Sequence, residues 1–405
     1  MERSNSKINV KALIFLLTAA YTVSYITRIN FGAVISEIES ATRISRELLS
    51  MSVTGSFITY GAGQIISGIL GDRLSPKKLV AFGFATTTLM NFLIPLCKSP
   101  YLMLFVWCIN GFAQSFMWPP LVKIMTALLS DDDYKIASVR ISYGSSIGTV
   151  AVYLISPLAI LLCGWKGVFV FSAICGALML LFWGRFAPEV DVKSGEKTEK
   201  TKKNTKNIFT PVVIAIMVAI IFMGMLRDGV TTWMPSYVAQ TYNLSNIISI
   251  LTGVVLPIFS MVCFKVASYV YRKKLKNPVL CAGAVFLIGA ISSVFLLFAT
   301  GKNAALSVVF SALLTGSMHG VNLMLICMLP PFFKGSGQAS TVSGILNSFV
   351  YIGSAISTYG IALISKNFGW QSTLLIWAAV AALGTLICFA SAKAWQKHTK
   401  NGEYV

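Results

Sequence analysis

Charge is scarce in this chain. Only 12% of its 405 residues are Asp, Glu, Lys or Arg, whereas 56% are hydrophobic. Soluble domains carry about 25% charge. So few charges do not cover soluble surfaces, which excludes an ordinary soluble enzyme, a disordered chain and a nucleic-acid-binding domain. Carboxylates are the scarcer sign, 14 against 33 Lys and Arg, for a net charge of +19. Histidine occurs twice, as His319 and His398. The eight cysteines sit singly in apolar segments, with no CxxC and no Cys/His cluster. Neither a disulfide framework nor a metal site is expected. GxxxxGK[ST] is missing, which argues against ATP-driven work, and HExxH is missing, which argues against a zinc-dependent hydrolase. No enzyme and no cofactor are expected.

What is present is long apolar sequence. A membrane-crossing helix needs about 20 mostly apolar residues, because hydrocarbon offers the backbone no hydrogen bonds. Such runs recur at 11–37, 46–70, 78–97, 100–128, 135–162, 166–187, 208–238, 245–270, 278–299, 303–330, 336–365 and 370–392. They predict an all-α membrane protein of twelve spans. Met1–Thr27 has the basic start and apolar run of a signal peptide. No small-residue cleavage site precedes Arg28 and further spans follow, so the segment reads as the first span. With both termini inside, Arg73, Lys77, Lys78, Arg272 to Lys276 and the stretch Lys193 to Lys206 fall in inner loops. The outer loops hold Arg43, Arg46, Lys98, Lys166, Lys302 and Lys366. This bias predicts an inner (plasma) membrane protein with cytoplasmic termini, and it accounts for the net charge without nucleic acid. Pro188 to Asn207 is polar and rich in Lys and Thr, and predicts a flexible tether between bundles at 1–187 and 208–405.

The two bundles echo each other. Gly164-Trp165 and Gly369-Trp370, Pro119-Pro120 and Pro330-Pro331, and Arg28 and Arg227 are pairs roughly 200 residues apart. A duplicated six-helix unit in parallel orientation is the major facilitator architecture, whose substrate sits near midplane between two halves that rock around it.

A charge at the centre of a span costs about 2.5–3.5 kcal/mol on insertion scales, so it marks a cavity and a function. Lys123, Arg140 and Lys265 lie nearer the cytoplasmic ends, where long stems snorkel. Arg28 and Arg227 lie deeper and at matching depths, which places them on opposite walls of one cavity. Two guanidiniums there repel unless an anion joins them, and guanidinium grips phosphate or carboxylate bidentately. The rival reading ties each Arg to helix-terminal carbonyls or to a carboxylate such as Asp228. Tyr21, Tyr25 and Arg28 form one helical stripe suited to a polar ligand. His319 in the tenth span is placed to donate to an anion, to carry a proton or to bond across helices. Asp228 is the sole acidic residue deep in a span, which favours anion exchange over proton symport.

Gly68-Ile69-Leu70-Gly71-Asp72-Arg73-Leu74-Ser75-Pro76-Lys77-Lys78 resembles the signature loop of the major facilitator superfamily. Gly68, Asp72, Arg73 and Lys77 are its gating residues. Asp72 at a helix end can pair with a basic residue or with a neighbouring helix N-terminus, latching one conformation. The loop after the eighth span, Arg272-Lys273-Lys274, lacks the Asp. Tyr25-x-x-Arg28-x-Asn30-Phe31 and Leu226-Arg227-Asp228-Gly229 with Trp233-x-Pro235-x-Tyr237 resemble the organophosphate:phosphate antiporter family. So does Gln114-x-x-x-Trp118-Pro119-Pro120. The resemblance implies that Arg28 and Arg227 grip phosphate and that Tyr21, Tyr25, Tyr60 and Tyr351 line the pocket. Gln64 stands where the family often has Lys, Ile29 where some members are basic, and no His occurs at 143–146, so the pocket is less basic. The implied function is a monomeric antiporter exchanging an organic phosphate for inorganic phosphate. A proton-coupled organic-anion (carboxylate) symporter and a sugar-phosphate sensor stay open as alternatives.

Overall fold

Proline and short polar side chains mark where the helices start. Pro76, Pro100, Pro211 and Pro278 each open a helix, where the missing N–H is no loss. The side chains of Asn9, Ser45, Ser130, Asn277 and Asn303 cap other orphan N–H groups. A computed structural model describes residues 9–190, 208–244, 252 and 254–400. Tether residues 191–207, the opening of the eighth span at 245–251 and the side chain of His398 lie outside the described residues. Among the described residues there are helices and connections but no strand.

Chain order is α1 (Val10–Ala33), the short α2 (Ile35–Thr42), α3 (Arg46–Gly71), α4 (Pro76–Leu93), α5 (Pro100–Gln114), α6 (Trp118–Leu128) and α7 (Asp131–Phe186). There follow α8 (Pro211–Tyr242), α9 (Val255–Lys273), α10 (Pro278–Ala299), α11 (Ala304–Asn322) and α12 (Ala339–Lys400). Nine segments among the described residues are long and apolar enough to cross a membrane. Three adjustments join these to the twelve expected spans. The 56-residue α7 breaks at Gly164 (φ 65°, ψ −172°) and so supplies two. The helix α3 has the length but not the hydropathy, because Ser52, Ser56, Gln64 and Ser67 are polar; all four are buried against protein. Another span is built of two pieces, α5 and α6.

Those two pieces correct the expectation of one helix over 100–128. Pro119 and Pro120 give no N–H to the carbonyls of Ser115 and Phe116, so the helix stops at Gln114 and restarts at Trp118, where the prolines sit in the first turn. The tenth span is likewise not uniform over 303–330. After Asn322 the backbone widens, with Met328 N–H bonding the Leu323 carbonyl at 3.2 Å, and Pro330 and Pro331 follow in a short tight turn. The first span ends at Ala33 instead of residue 37, and α2 begins at Ile35.

The outer surface is apolar: Phe15, Leu161, Leu162, Leu181, Phe298 and Leu386 are each more than 60% exposed. That is the lipid-facing surface, with polarity placed inside. In the first bundle the Asn30 amide donates to Asn91 Oδ1 at 2.7 Å and to Ser172 Oγ at 2.9 Å. The Gln114 amide donates to the hydroxyls of Thr27 and Thr87, at 2.8 and 2.9 Å. This network ties α1 to α4, α5 and the second arm of α7. Among the described residues the hydrogen bonds between the two bundles run in a seam toward the face that carries Asp72. Asn347 Nδ2 donates to Gln64 Oε1 at 3.0 Å, Thr341 Oγ1 to the Gly68 carbonyl at 3.5 Å, and Tyr134 Oη to the Cys327 carbonyl at 2.7 Å. The bundles are closed on that face.

Candidate substrate cavity

Above the seam, between the bundles, lies a narrow cavity with about 30 Å³ of free space. Tyr21 and Tyr25 of α1, Trp118 of α6, Ser142 and Ser145 of α7, and Arg227 of α8 line it. Phe264, His319, Asn322, Asn347 and Tyr351 of the second bundle complete the wall. Both bundles therefore supply polar groups to one space.

Helical spacing puts Tyr21, Tyr25 and Arg28 on one face of α1. The Tyr21 and Tyr25 rings meet edge to face at 5.2 Å, and Tyr21 lies 5.2 Å from Trp118. Arg28 Cζ stands 4.1 Å from the centre of the Tyr25 ring and 4.8 Å from that of Tyr60. The guanidinium is thus held between π faces. Its Nε is buried and has no hydrogen-bond partner. Tyr60, 2% exposed, packs 4.6 Å from Tyr351. Arg28 and Tyr60 stand behind the lining tyrosines, not in the lining.

Arg227 reaches the lining already engaged. Its Nε and Nη2 donate to the two oxygens of Asp228 at 2.7 and 2.9 Å, and its Nη1 donates to Asn322 Oδ1 at 3.0 Å. Asp228 also accepts from the Ser354 hydroxyl. Arg227 thus follows the rival reading, paired with Asp228, and Arg28, caged by tyrosines, does not line the cavity wall opposite it as expected. Neighbouring helix residues point about 100° apart, but an Arg stem is long enough to fold back onto the next carboxylate. His319 packs 5.5 Å from Phe264 and lies in electrostatic range of Arg227 and Asp228.

Below the cavity, Asp72 at the end of α3 accepts from the N–H groups of Ser340 (3.2 Å) and Thr341 (2.7 Å), the first turn of α12. It also takes Lys123 Nζ at 3.0 Å. Lys123 therefore pairs with a carboxylate instead of snorkelling, whereas Arg140 and Lys265 are exposed. The Gly68 backbone abuts α12, where a Cβ would lie 2.8 Å from the Ser340 carbonyl. Arg73 is exposed, and Lys77 offers its carbonyl to Trp183 Nε1 at 3.0 Å.

Sequence reading passed over Asn322, Asn347, Ser142 and Ser145 as cavity residues. Uncharged polar side chains do not stand out one by one in apolar spans. Trp118 carried a signal, its place beside Pro119-Pro120, and its buried indole N–H has no partner.

Comparison with known proteins agrees with this architecture. The chain is 23% identical to a probable hexose phosphate transport protein of Chlamydia muridarum, over 94% of this chain and 91% of that protein. It is 22% identical to the glycerol-3-phosphate transporter of Bacillus subtilis, over 90% and 87%. It is 19% identical to the membrane sensor protein UhpC of Escherichia coli, over 93% and 90%. A crystal structure of the transporter FucP in the outward conformation superposes with TM-score 0.72 at 13% identity, covering 93% of this chain and 98% of that one. The profile of the Major Facilitator Superfamily matches residues 17–358, and the chain belongs to that superfamily of membrane carriers.

Proposed function

We propose that the chain is a secondary transporter that takes up an organic phosphate in exchange for inorganic phosphate by alternating access. The observation that carries this reading is the wall of the cavity. Arg227 and His319 from one bundle face Tyr21 and Tyr25 from the other, with Arg28 directly behind Tyr25. Phenols, an imidazole and guanidinium N–H groups suit a phosphate oxygen cluster with a hydroxylated body. Transport of hexose phosphate and glycerol 3-phosphate by similar proteins supports the same ligand class. In this reading Arg28 leaves its tyrosine cage to meet the anion as the bundles close over it. Asp72, Gly68, Arg73 and Lys77 form the inner gate, so the face closed here is cytoplasmic and the cavity faces outward. Bundles 1–187 and 208–405, tethered by 188–207, work as a monomer in an inner membrane with both termini cytoplasmic.

Uptake of labelled phosphate into phosphate-loaded proteoliposomes tests the reading. The wild type exchanges, and organic phosphates outside compete. Arg28→Lys and Arg227→Lys each keep the charge but lose the planar fork, and exchange is expected to fall by at least about tenfold, the scale of one charged hydrogen bond. Unimpaired exchange in either variant overturns the Arg assignment. Similarity to the sensor UhpC keeps a second reading in view: binding of phosphorylated ligands with no flux marks a receptor.

A further inference from the structure

The carboxylate beside Arg227 has a consequence for the kind of anion the cavity takes. We propose that Asp228 sets the charge accepted by the cavity at one: the ligand binds as a monoanion, or as a dianion accompanied by one proton. This rests on the phosphate-exchange reading and adds the charge state to it.

Guanidinium has five N–H donors in a planar fork. Asp228 uses two of those on Arg227 and Asn322 a third. One N–H on Nη1 and one on Nη2 stay free on the outer edge. A ligand therefore shares Arg227 with Asp228. It does not need to evict the carboxylate, which Ser354 and Arg227 hold in place.

The charge count follows. Around Asp228 stand Arg227 on its own helix α8, His319 on α11, Ser354 on α12 and Tyr25 on α1; Arg28 and Tyr21 on α1, with Tyr60 on α3 and Tyr351 on α12, form the next layer beside Tyr25. Two guanidiniums against one carboxylate leave one positive charge. No other carboxylate belongs to this group among the described residues. A singly charged anion makes the enclosed space neutral. A doubly charged one leaves a net negative charge in a low-dielectric site, which is strongly disfavoured unless a proton enters with it. The proton resides on the ligand or on Asp228; the total is the same. His319 adds a charge only by taking a proton itself, so it is the rival titrating group.

Phosphate provides the probe, because its singly charged fraction falls about tenfold per pH unit above its second ionisation. Phosphate-loaded proteoliposomes are assayed for labelled-phosphate uptake at about pH 6.5, 7.5 and 8.5, with pH equal on both sides. In the wild type the half-saturating total phosphate is expected to rise by close to about tenfold between the upper two values. Asp228→Asn, which raises the cavity charge to two, is expected to flatten that rise to less than about threefold. Asp228→Glu and His319→Gln keep the wild-type slope. A flat wild-type profile overturns the proposal without recourse to any variant. A wild-type slope in Asp228→Asn, or a flat profile in His319→Gln beside a steep one in Asp228→Asn, overturns it as well. Exchange with a flat profile sinks the charge assignment alone; no exchange at any pH sinks the phosphate-exchange reading beneath it.

Discussion

Asn30 sits two positions from Arg28 and does a different job. Its side-chain amide donates to Asn91 and Ser172, and its Oδ1 accepts the Phe31 N–H at 3.1 Å. It is fully buried, with no water to replace a lost partner. Asn30→Ala leaves Asn91 Oδ1 without that donor and is expected to cost about 1–3 kcal/mol. Thermal unfolding of the detergent-solubilised protein would show it as a lower midpoint. An unchanged midpoint would mean the network is not holding α1 in place. At this scale legibility depended on charge. Arg28 and Arg227 stood out because hydrocarbon penalises them, and the tyrosine stripe followed from helical spacing. Asn30 was visible inside a motif but not as a structural hub, because its partners Asn91 and Ser172 lie in other spans. The Arg227–Asp228 pairing was legible only as a rival reading; that the Arg stem folds back onto its neighbour is a matter of rotamer.

Helices were the most legible level. Hydropathy located the spans because a buried backbone must satisfy its own hydrogen bonds. The breaks inside spans were less visible, since hydropathy is indifferent to backbone geometry. Pro119-Pro120 and Pro330-Pro331 were read as echoes of duplication, and both follow irregular backbone at corresponding positions. The Gly-Trp echo has a sharper meaning. Gly164 (φ 65°, ψ −172°) and Gly369 (φ 75°, ψ 175°) occupy a region open essentially to glycine alone. Each is the single residue that separates two successive spans of one long helical run. A Cβ at either position would meet open space, so crowding is not the constraint. Gly164→Ala and Gly369→Ala are each expected to cost about 1–3 kcal/mol through backbone strain alone. Equal losses in unfolding midpoint at the two sites would reflect their equivalent places in the repeat. A neutral result at either would show that the turn relaxes into another shape.

Which face of the molecule is closed was not legible in the sequence, because two arrangements of the same bundles use the same spans. Close backbone contact carries the information. A Cβ on Gly344 would fall on the Gln64 carbonyl and 3.0 Å from the Gly68 Cα, across the seam between bundles. A Cβ on Gly353 would fall on the Ile221 carbonyl and 2.9 Å from the Met225 nitrogen, inside the second bundle. Both clashes are with backbone, so no rotamer change relieves them. Their consequences differ because only one interface has an alternative. Gly344→Val is expected to part the bundles at the Asp72 face and leave each bundle intact. Spin labels at the exposed positions Leu74 and Lys334 would then shift to longer distances with little change in unfolding midpoint. Asp72→Asn is expected to act in the same direction by less, since a charge at a helix N-terminus contributes about 0.3–2 kcal/mol. Gly353→Val has no second state to escape to, so overpacking of about 1–3 kcal/mol should lower the midpoint with the label distance unchanged. If Gly344→Val instead unfolds early with the labels still close, the seam belongs to a fixed core and the two bundles do not move as rigid bodies.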